Sequence, residues 1–248
     1  MSVFSVNGKT YTVTENVSLM CFLRDELRLT SVKDGCSEGA CGTCTVIIDG
    51  KAVKACVQKV SNLDGKSVIT AEGLSEREKQ VYSYAFSEAG AVQCGFCIPG
   101  MVMCAKALID KNPSPTPEDV KYAIRNNLCR CTGYKKIEEA ILLAAEIIRE
   151  NREITSPVST GLLGESMNRV DASAKALGEA KYADDFHMDG MVYGSALRSE
   201  YPRAEILSID KSEAESMDGV LCVMTAEDIP GTQKVGHLKR DWDVIVPV

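Results

Sequence analysis

Two short cysteine motifs bracket the middle of the chain. Gln93-Cys94-Gly95-Phe96-Cys97 opens a stretch that Cys129-Arg130-Cys131 closes. Two residues separate the first pair of thiols and one the second, so each pair can aim both sulfurs from a tight turn at one ion or small cluster. Four thiolates of this kind suit structural zinc or an iron-sulfur cluster. The intervening residues must fold the two turns together. Pro99 starts one helix, with Met101, Val102, Ala105, Leu108 and Ile109 recurring on one face. Thr116-Pro117-Glu118-Asp119 starts the next, with Thr116 as N-cap, Pro117 in the first position and acids in the first turn.

A second set of thiols lies in a glycine-rich loop, Gly35-Cys36-Ser37-Glu38-Gly39-Ala40-Cys41-Gly42-Thr43-Cys44. Cys36, Cys41 and Cys44 have the C-x4-C-x2-C spacing of plant-type [2Fe-2S] ferredoxins, and Cys56 supplies the distant fourth ligand. The loop must wrap a flat inorganic rhomb and turn backbone N–H groups toward its sulfurs. That requires conformations glycine adopts cheaply, expected at Gly35, Gly39 and Gly42. Zinc ligands come more often as two C-x2-C pairs, so iron-sulfur chemistry is the expectation here. Cys21 has no thiol at ligand spacing nearby and is expected to be a packing residue, Cys104 is expected in the core inside the helix that Pro99 starts, and Cys222 is expected to pack in a strand, as is usual for free cysteine. His187 and His237 stand alone and are expected to be surface or core histidines.

The elements that position these loops follow from hydrophobic period and turn chemistry. Residues 3–6 and 11–13 flank Asn7-Gly8, a hairpin signal. Ser18 caps an expected helix at residues 19–27 whose Leu19, Phe22, Leu23 and Leu27 face the sheet. A second hairpin spans residues 45–48 and 51–57 around Asp49-Gly50, with Cys56 at its strand end. From Ser75 the period becomes helical: Ser75 and Glu78 form a capping box, and Val81, Tyr84 and Ala85 continue an apolar face. The last helix, after Thr132-Gly133, carries Ile137, Ala140, Ile141, Ala144, Ile147 and Ile148 on one side. Four such helices predict a bundle. Residues 154–166, rich in Ser, Thr, Gly and Pro, read as a linker. Beyond it, strands are expected at residues 191–197, 204–209 and 220–224, with a helix at 212–216 and an apolar, strand-like stretch at 244–248.

Composition narrows the partners. The formal charge of -7, with no basic run interleaved with aromatics, argues against a nucleic-acid surface. Residues 140–148 form the longest apolar run, but Glu146 interrupts it and it is too short to span a bilayer, so no membrane partner is expected. Eleven cysteines without a visible export signal point to a reducing, cytoplasmic setting in which thiols bind metals.

Taken with Asn127-Leu128-Cys129-Arg130-Cys131-Thr132-Gly133-Tyr134 and Gln93 through Met101, the glycine-rich loop resembles the molybdenum hydroxylases of the xanthine dehydrogenase and aldehyde oxidase type. The resemblance implies an α+β chain with four parts. These are a β-grasp, plant-type ferredoxin domain at 1–74, a four-helix-bundle [2Fe-2S] domain at 75–150, a linker at 151–170, and the incomplete start of an α/β hammerhead domain at 171–248. It implies two [2Fe-2S] clusters, one on Cys36, Cys41, Cys44 and Cys56 and one on Cys94, Cys97, Cys129 and Cys131. Gln93 and Cys131 would face a molybdopterin cofactor held by the rest of the enzyme, so no catalytic residue is expected in this chain. Many family members carry a flavin domain where this chain has only the linker. Any FAD is therefore expected on a separate subunit, with a ferredoxin-like acceptor as the other choice. The chain is expected to be a fragment, or the ordered part of a longer product. Gly236-His237-Leu238 and Asp241-Trp242-Asp243 loosely resemble bacterial selenium-dependent xanthine dehydrogenases, which suggests a purine substrate; an aldehyde is the alternative. A non-enzymatic zinc-binding adaptor would also use paired cysteines.

Overall fold

In the computed structural model, residues 1–155, 160–165 and 167–248 are described. They fall into two compact units, Met1–His187 and Met188–Val248.

The first unit begins with the expected hairpin. Strands β1 (Ser2–Val6) and β2 (Lys9–Val13) pair antiparallel, and Asn7 and Gly8 both take positive φ, as this two-residue turn requires. Strands β3 (Thr45–Ile48) and β4 (Lys51–Lys54) repeat the device with Asp49 and Gly50. A strand not visible in the sequence joins them. β5 (Ser67–Ile69) lies parallel to β1 and antiparallel to β3, giving the order β2-β1-β5-β3-β4. Three residues are too few to show alternation, so the two open edges beside it decide that it is a strand.

Helix α1 (Leu19–Cys21) has Ser18 as its cap, as expected, but then widens into a π-helical turn, Phe22–Glu26. Leu19, Met20, Phe22 and Leu23 are buried against the sheet. Cys21 is exposed, contrary to expectation: residues 19, 22 and 23 occupy the inward face, and 21 falls off it.

The bundle comprises α2 (Glu76–Glu88), α3 (Ile98–Lys111), α4 (Pro117–Ile124) and α5 (Lys135–Glu150), with both expected N-caps formed. Helix α3 differs from the one-faced reading. Ile98 to Ala105 are all buried, because this helix is packed on α4, α5 and β3 at once. A Cβ on Gly100 would lie 2.8 Å from the carbonyl oxygens of Gly42 and Thr43, so only glycine lets α3 rest on the cysteine loop.

A further short helix, α6 (Ala172–Leu177), was not expected. Ala172, Ala176 and Leu177 enter the bundle core, and the first unit runs on to His187, past the anticipated end of the linker. Of the linker itself, residues 156–159 and 166 lie outside the described residues, while Ile154 packs on the bundle.

In the second unit, α7 (Ser212–Ser216) forms where expected, and β6 (Lys234–Val235) pairs with β7 (Trp242–Asp243). The strands expected at 191–197, 204–209 and 220–224 are not formed, nor is one at 244–248. Tyr193, Leu197, Leu207 and Leu221 are exposed, and so is Cys222, which was expected to pack in a strand. An apolar run makes a strand only where another edge completes the ladder, and among the described residues none does so here.

Candidate metal centres

The glycine-rich loop wraps toward its own thiols. Gly39 and Gly42 have φ of 77° and 73°, and Ser37 also sits in the left-handed region, where Asp34 accepts from its backbone N–H at 3.0 Å and its hydroxyl at 2.7 Å. Gly35 does not take positive φ, against expectation; it is needed for room. A Cβ there would lie 2.8 Å from Thr43 Oγ1 and 3.0 Å from Cys41 Sγ. The Cys41 N–H donates to Cys36 Sγ at 3.4 Å, and the N–H groups of Cys41 and Glu38 lower the Cys36 thiol to about 7. Burial pushes the Cys44 thiol up to about 12, with the neighbouring Cys56 thiol adding to the effect. Cys56 lies not on a strand end but in a single 3-10 turn, Ala55–Val57, which carries it back to Cys44. Lys54 Nζ donates to the carbonyls of Gly39 and Ala40 at 2.6 and 3.2 Å, tying the strand to the loop.

The second set comes from two distant turns, and the close contacts run across them. Cys131 Sγ lies 3.5 Å from Cys94 Sγ, and Cys97 interacts with Cys129. Cys97 is buried, and burial raises its thiol well above the ordinary range. Burial also works against a charge on Cys129, but the Thr132 hydroxyl, 3.1 Å away, and the N–H groups of Cys131 and Thr132 outweigh it and lower that thiol. Tyr134 holds the second turn: its hydroxyl accepts from Cys129 N at 2.9 Å and donates to Asn127 O at 3.0 Å. Cys94, Cys131 and Gln93 are exposed.

Among the described residues no three His, Cys, Asp or Glu side chains gather as a single-ion site would need. The thiols instead associate as two pairs at each location, the arrangement that a two-iron cluster with two thiolates per iron would need. The N–H groups turned on Cys36 and the glycine-lined cradle beside Cys41 suit the negative sulfurs of such a cluster.

Asn127 opens the second cysteine motif, and the fold gives it a role there. It is buried, with its amide donating to Gly42 O at 2.9 Å and Thr45 Oγ1 at 3.3 Å while accepting from Cys104 Sγ at 3.2 Å. Next to it, the Leu128 N–H donates to Cys41 O at 2.8 Å. Cys104 is core, as expected, and burial pushes its thiol up to about 11. Tyr182 was also missed; its hydroxyl donates to the Cys94 carbonyl at 2.7 Å and, pushed up to about 12 by burial and the neighbouring thiols, remains a donor at neutral pH.

Residues 9–81 match the 2Fe-2S iron-sulfur cluster binding domain family, and residues 70–142 match the [2Fe-2S] binding domain family. Residues 177–245 match the a/b hammerhead domain of aldehyde oxidase and xanthine dehydrogenase. The small FeS subunit of nicotinate dehydrogenase from Eubacterium barkeri is 50% identical over 145 residues, covering 57% of this chain and 92% of the relative. The chain belongs to the molybdenum hydroxylase family of the xanthine dehydrogenase and aldehyde oxidase type. Its fold is accordingly α+β, two [2Fe-2S]-binding domains followed by hammerhead sequence. Aldehyde oxidoreductase from Megalodesulfovibrio gigas is 36% identical over 250 residues, 95% of this chain but 28% of that protein. The crystal structure of the aldehyde oxidoreductase from Desulfovibrio desulfuricans superposes with a TM-score of 0.83 at 38% identity, covering 94% of this chain and 27% of that one. The chain thus spans little more than a quarter of these two long relatives.

Proposed function

We propose that this chain is the electron-transfer part of a molybdenum hydroxylase. Cys36, Cys41, Cys44 and Cys56 hold one [2Fe-2S] cluster, and Cys94, Cys97, Cys129 and Cys131 hold the other. The first belongs to a domain at 1–74, the second to a domain at 75–150 with α6 as an outlying helix. The two clusters stand between a molybdenum-pterin site on the remaining portion and a flavin on a separate subunit, or a ferredoxin-like acceptor. The carrying observation is the Leu128 N–H to Cys41 carbonyl hydrogen bond, which joins the backbone of one thiol loop to the residue before Cys129. Bound clusters of this type take up and release single electrons. The protein's own part is to hold them rigidly and set their surroundings: N–H groups favour charge on Cys36 and Cys129, while burial shields Cys44 and Cys97. Gln93 and Cys131, both exposed, are the residues proposed to meet the pterin, and the Gln93 amide offers the donors and acceptor that a pterin edge matches.

For the whole protein we infer a purine such as xanthine as substrate, from residues 236–243. In the second unit these residues run from the end of β6 through β7, and His237 packs edge-on against Trp242 at 5.9 Å. The aldehyde reading draws its support from near full-length similarity to aldehyde oxidoreductases. Adding xanthine or an aldehyde anaerobically to the full-length enzyme decides between them, because only the true substrate reduces the clusters. A reducing, cytoplasmic setting fits the free thiols; among the described residues no helix is long and apolar enough to cross a membrane.

The test of the electron-transfer reading is iron and sulfide analysis of the chain. About four iron and four acid-labile sulfide per chain are expected, with two paramagnetic resonance signals after reduction. Zinc without sulfide, as in an adaptor, would sink the proposal.

A further inference from the structure

Residues 93–96, the turn that carries Cys94, are each touched by a segment more than seventy-five residues downstream in sequence. Lys175 Nζ donates to the Gln93 carbonyl at 3.5 Å, and the Lys175 side chain covers Gly95 so closely that a Cβ there would lie 2.7 Å from it. The Tyr182 hydroxyl donates to the Cys94 carbonyl, and the Tyr182 ring meets Phe96 edge to face at 5.2 Å. The same segment is fastened to the β domain. Asp185 pairs with Lys33 and Arg24, each at 3.1 Å, and the Lys33 and Asp185 side chains are 1% and 3% exposed. Lys33 Nζ also sits 4.9 Å over the Tyr182 ring. Gly178, at φ 79°, lets the chain pass against Ser31, where a Cβ would come within 2.5 Å of the Ser31 backbone.

We propose that residues 172–185 form a strap that holds the Cys94 turn in place, with Tyr182 as a positioning residue that sets the reduction potential of the cluster on Cys94, Cys97, Cys129 and Cys131. The inference rests on the ligand assignment above. Its physical basis is that cluster potentials follow local charge, hydrogen bonding and solvent exposure. Cys94 is the exposed thiol of its motif, and the Tyr182 O–H offsets the negative end of the carbonyl dipole next to that thiolate. A buried ion pair at the far end keeps the tyrosine from swinging away.

The experiment is a redox titration, followed by paramagnetic resonance, of the iron-sulfur-loaded 248-residue chain and its Tyr182→Phe variant. The ring stays and one proton donor goes, so iron and sulfide content should not change. The signal belonging to the helical-domain cluster, identified as the one lost in Cys129→Ser, should shift to a more negative potential while the other stays put. Asp185→Asn, which loosens the anchor, should broaden the same signal. Unmoved potentials in Tyr182→Phe, or equal shifts in both signals, overturn the proposal. A wild-type chain without two such signals overturns the ligand assignment instead, and the strap's role falls with it.

Discussion

The two cysteine sites are built in opposite ways. In the β domain three of the four thiols come from one loop, Cys36 to Cys44, and the fourth returns through a single turn after β4. Left-handed Ser37, Gly39 and Gly42 bend that loop, so its form is written in nearby residues. In the bundle the thiols come from turns more than thirty residues apart, and α3, α4 and α5 must pack before the sulfurs can meet. A strap from beyond the bundle then holds one of those turns. A locally coded site is thus exposed to changes in backbone conformation, a remotely assembled one to changes in packing. The two meet at Gly42, Asn127 and Leu128, where hydrogen bonds cross from one loop to the other.

The largest expected effect separates the sites outright. Cys129→Ser should abolish the helical-domain resonance signal and leave the plant-type signal intact, since Cys97 and Cys129 pack in one core and Cys44 and Cys56 in another. Loss of both from a folded variant would break the comparison. Gly42→Ala attacks the seam: a Cβ there would lie 2.4 Å from Asn126 O and 3.0 Å from Asn127 Cα, at a φ of 73°. Overpacking against backbone plus left-handed strain should cost about 3 kcal/mol or more in a denaturant titration and reduce iron at both sites. The strap contributes through pH. Burial opposes charge on Asp185, but the Tyr182 N–H and the Lys33 and Arg24 side chains outweigh it and hold the carboxyl below its ordinary range. A folded value below the unfolded one adds stability that is complete above the unfolded value of about 3.9 and is lost as pH falls through the folded value. The thermal midpoint should therefore drop below about pH 4, with a flatter acid limb in Asp185→Asn. The smallest effect is Gly133→Ala. Its φ of 65° resembles that of Gly42, but a Cβ would meet nothing within 4 Å, so only strain of about 1 kcal/mol remains. A cost equal to that of Gly42→Ala would show that strain, not contact with the partner domain, governs both.

What could be read from sequence follows the same division. Short-range signals were legible: the Asn7-Gly8 and Asp49-Gly50 hairpins and the caps at Ser75 and Thr116 all formed where the residues predicted them. The extended stretches of the second unit show the limit of such signals. Residues 191–197 and 204–209 are apolar enough to suggest strands, yet among the described residues no partner edge completes a ladder there, and Tyr193, Leu197 and Leu207 are exposed. In the first unit the reverse happened, and β5 became a strand on three residues because two edges were waiting for it.

By itself the sequence determined the thiol spacing, the left-handed turns, the helix starts and the family motifs, all of which act over a few bonds and so are carried by adjacent residues. Only the tertiary structure decided that Cys94 meets Cys131, that Asn127 ties the bundle to the cysteine loop, and that Tyr182 reaches back to Cys94 across eighty-eight positions. Those contacts depend on which apolar faces bury together. That choice belongs to the whole core, and no local run of residues contains it.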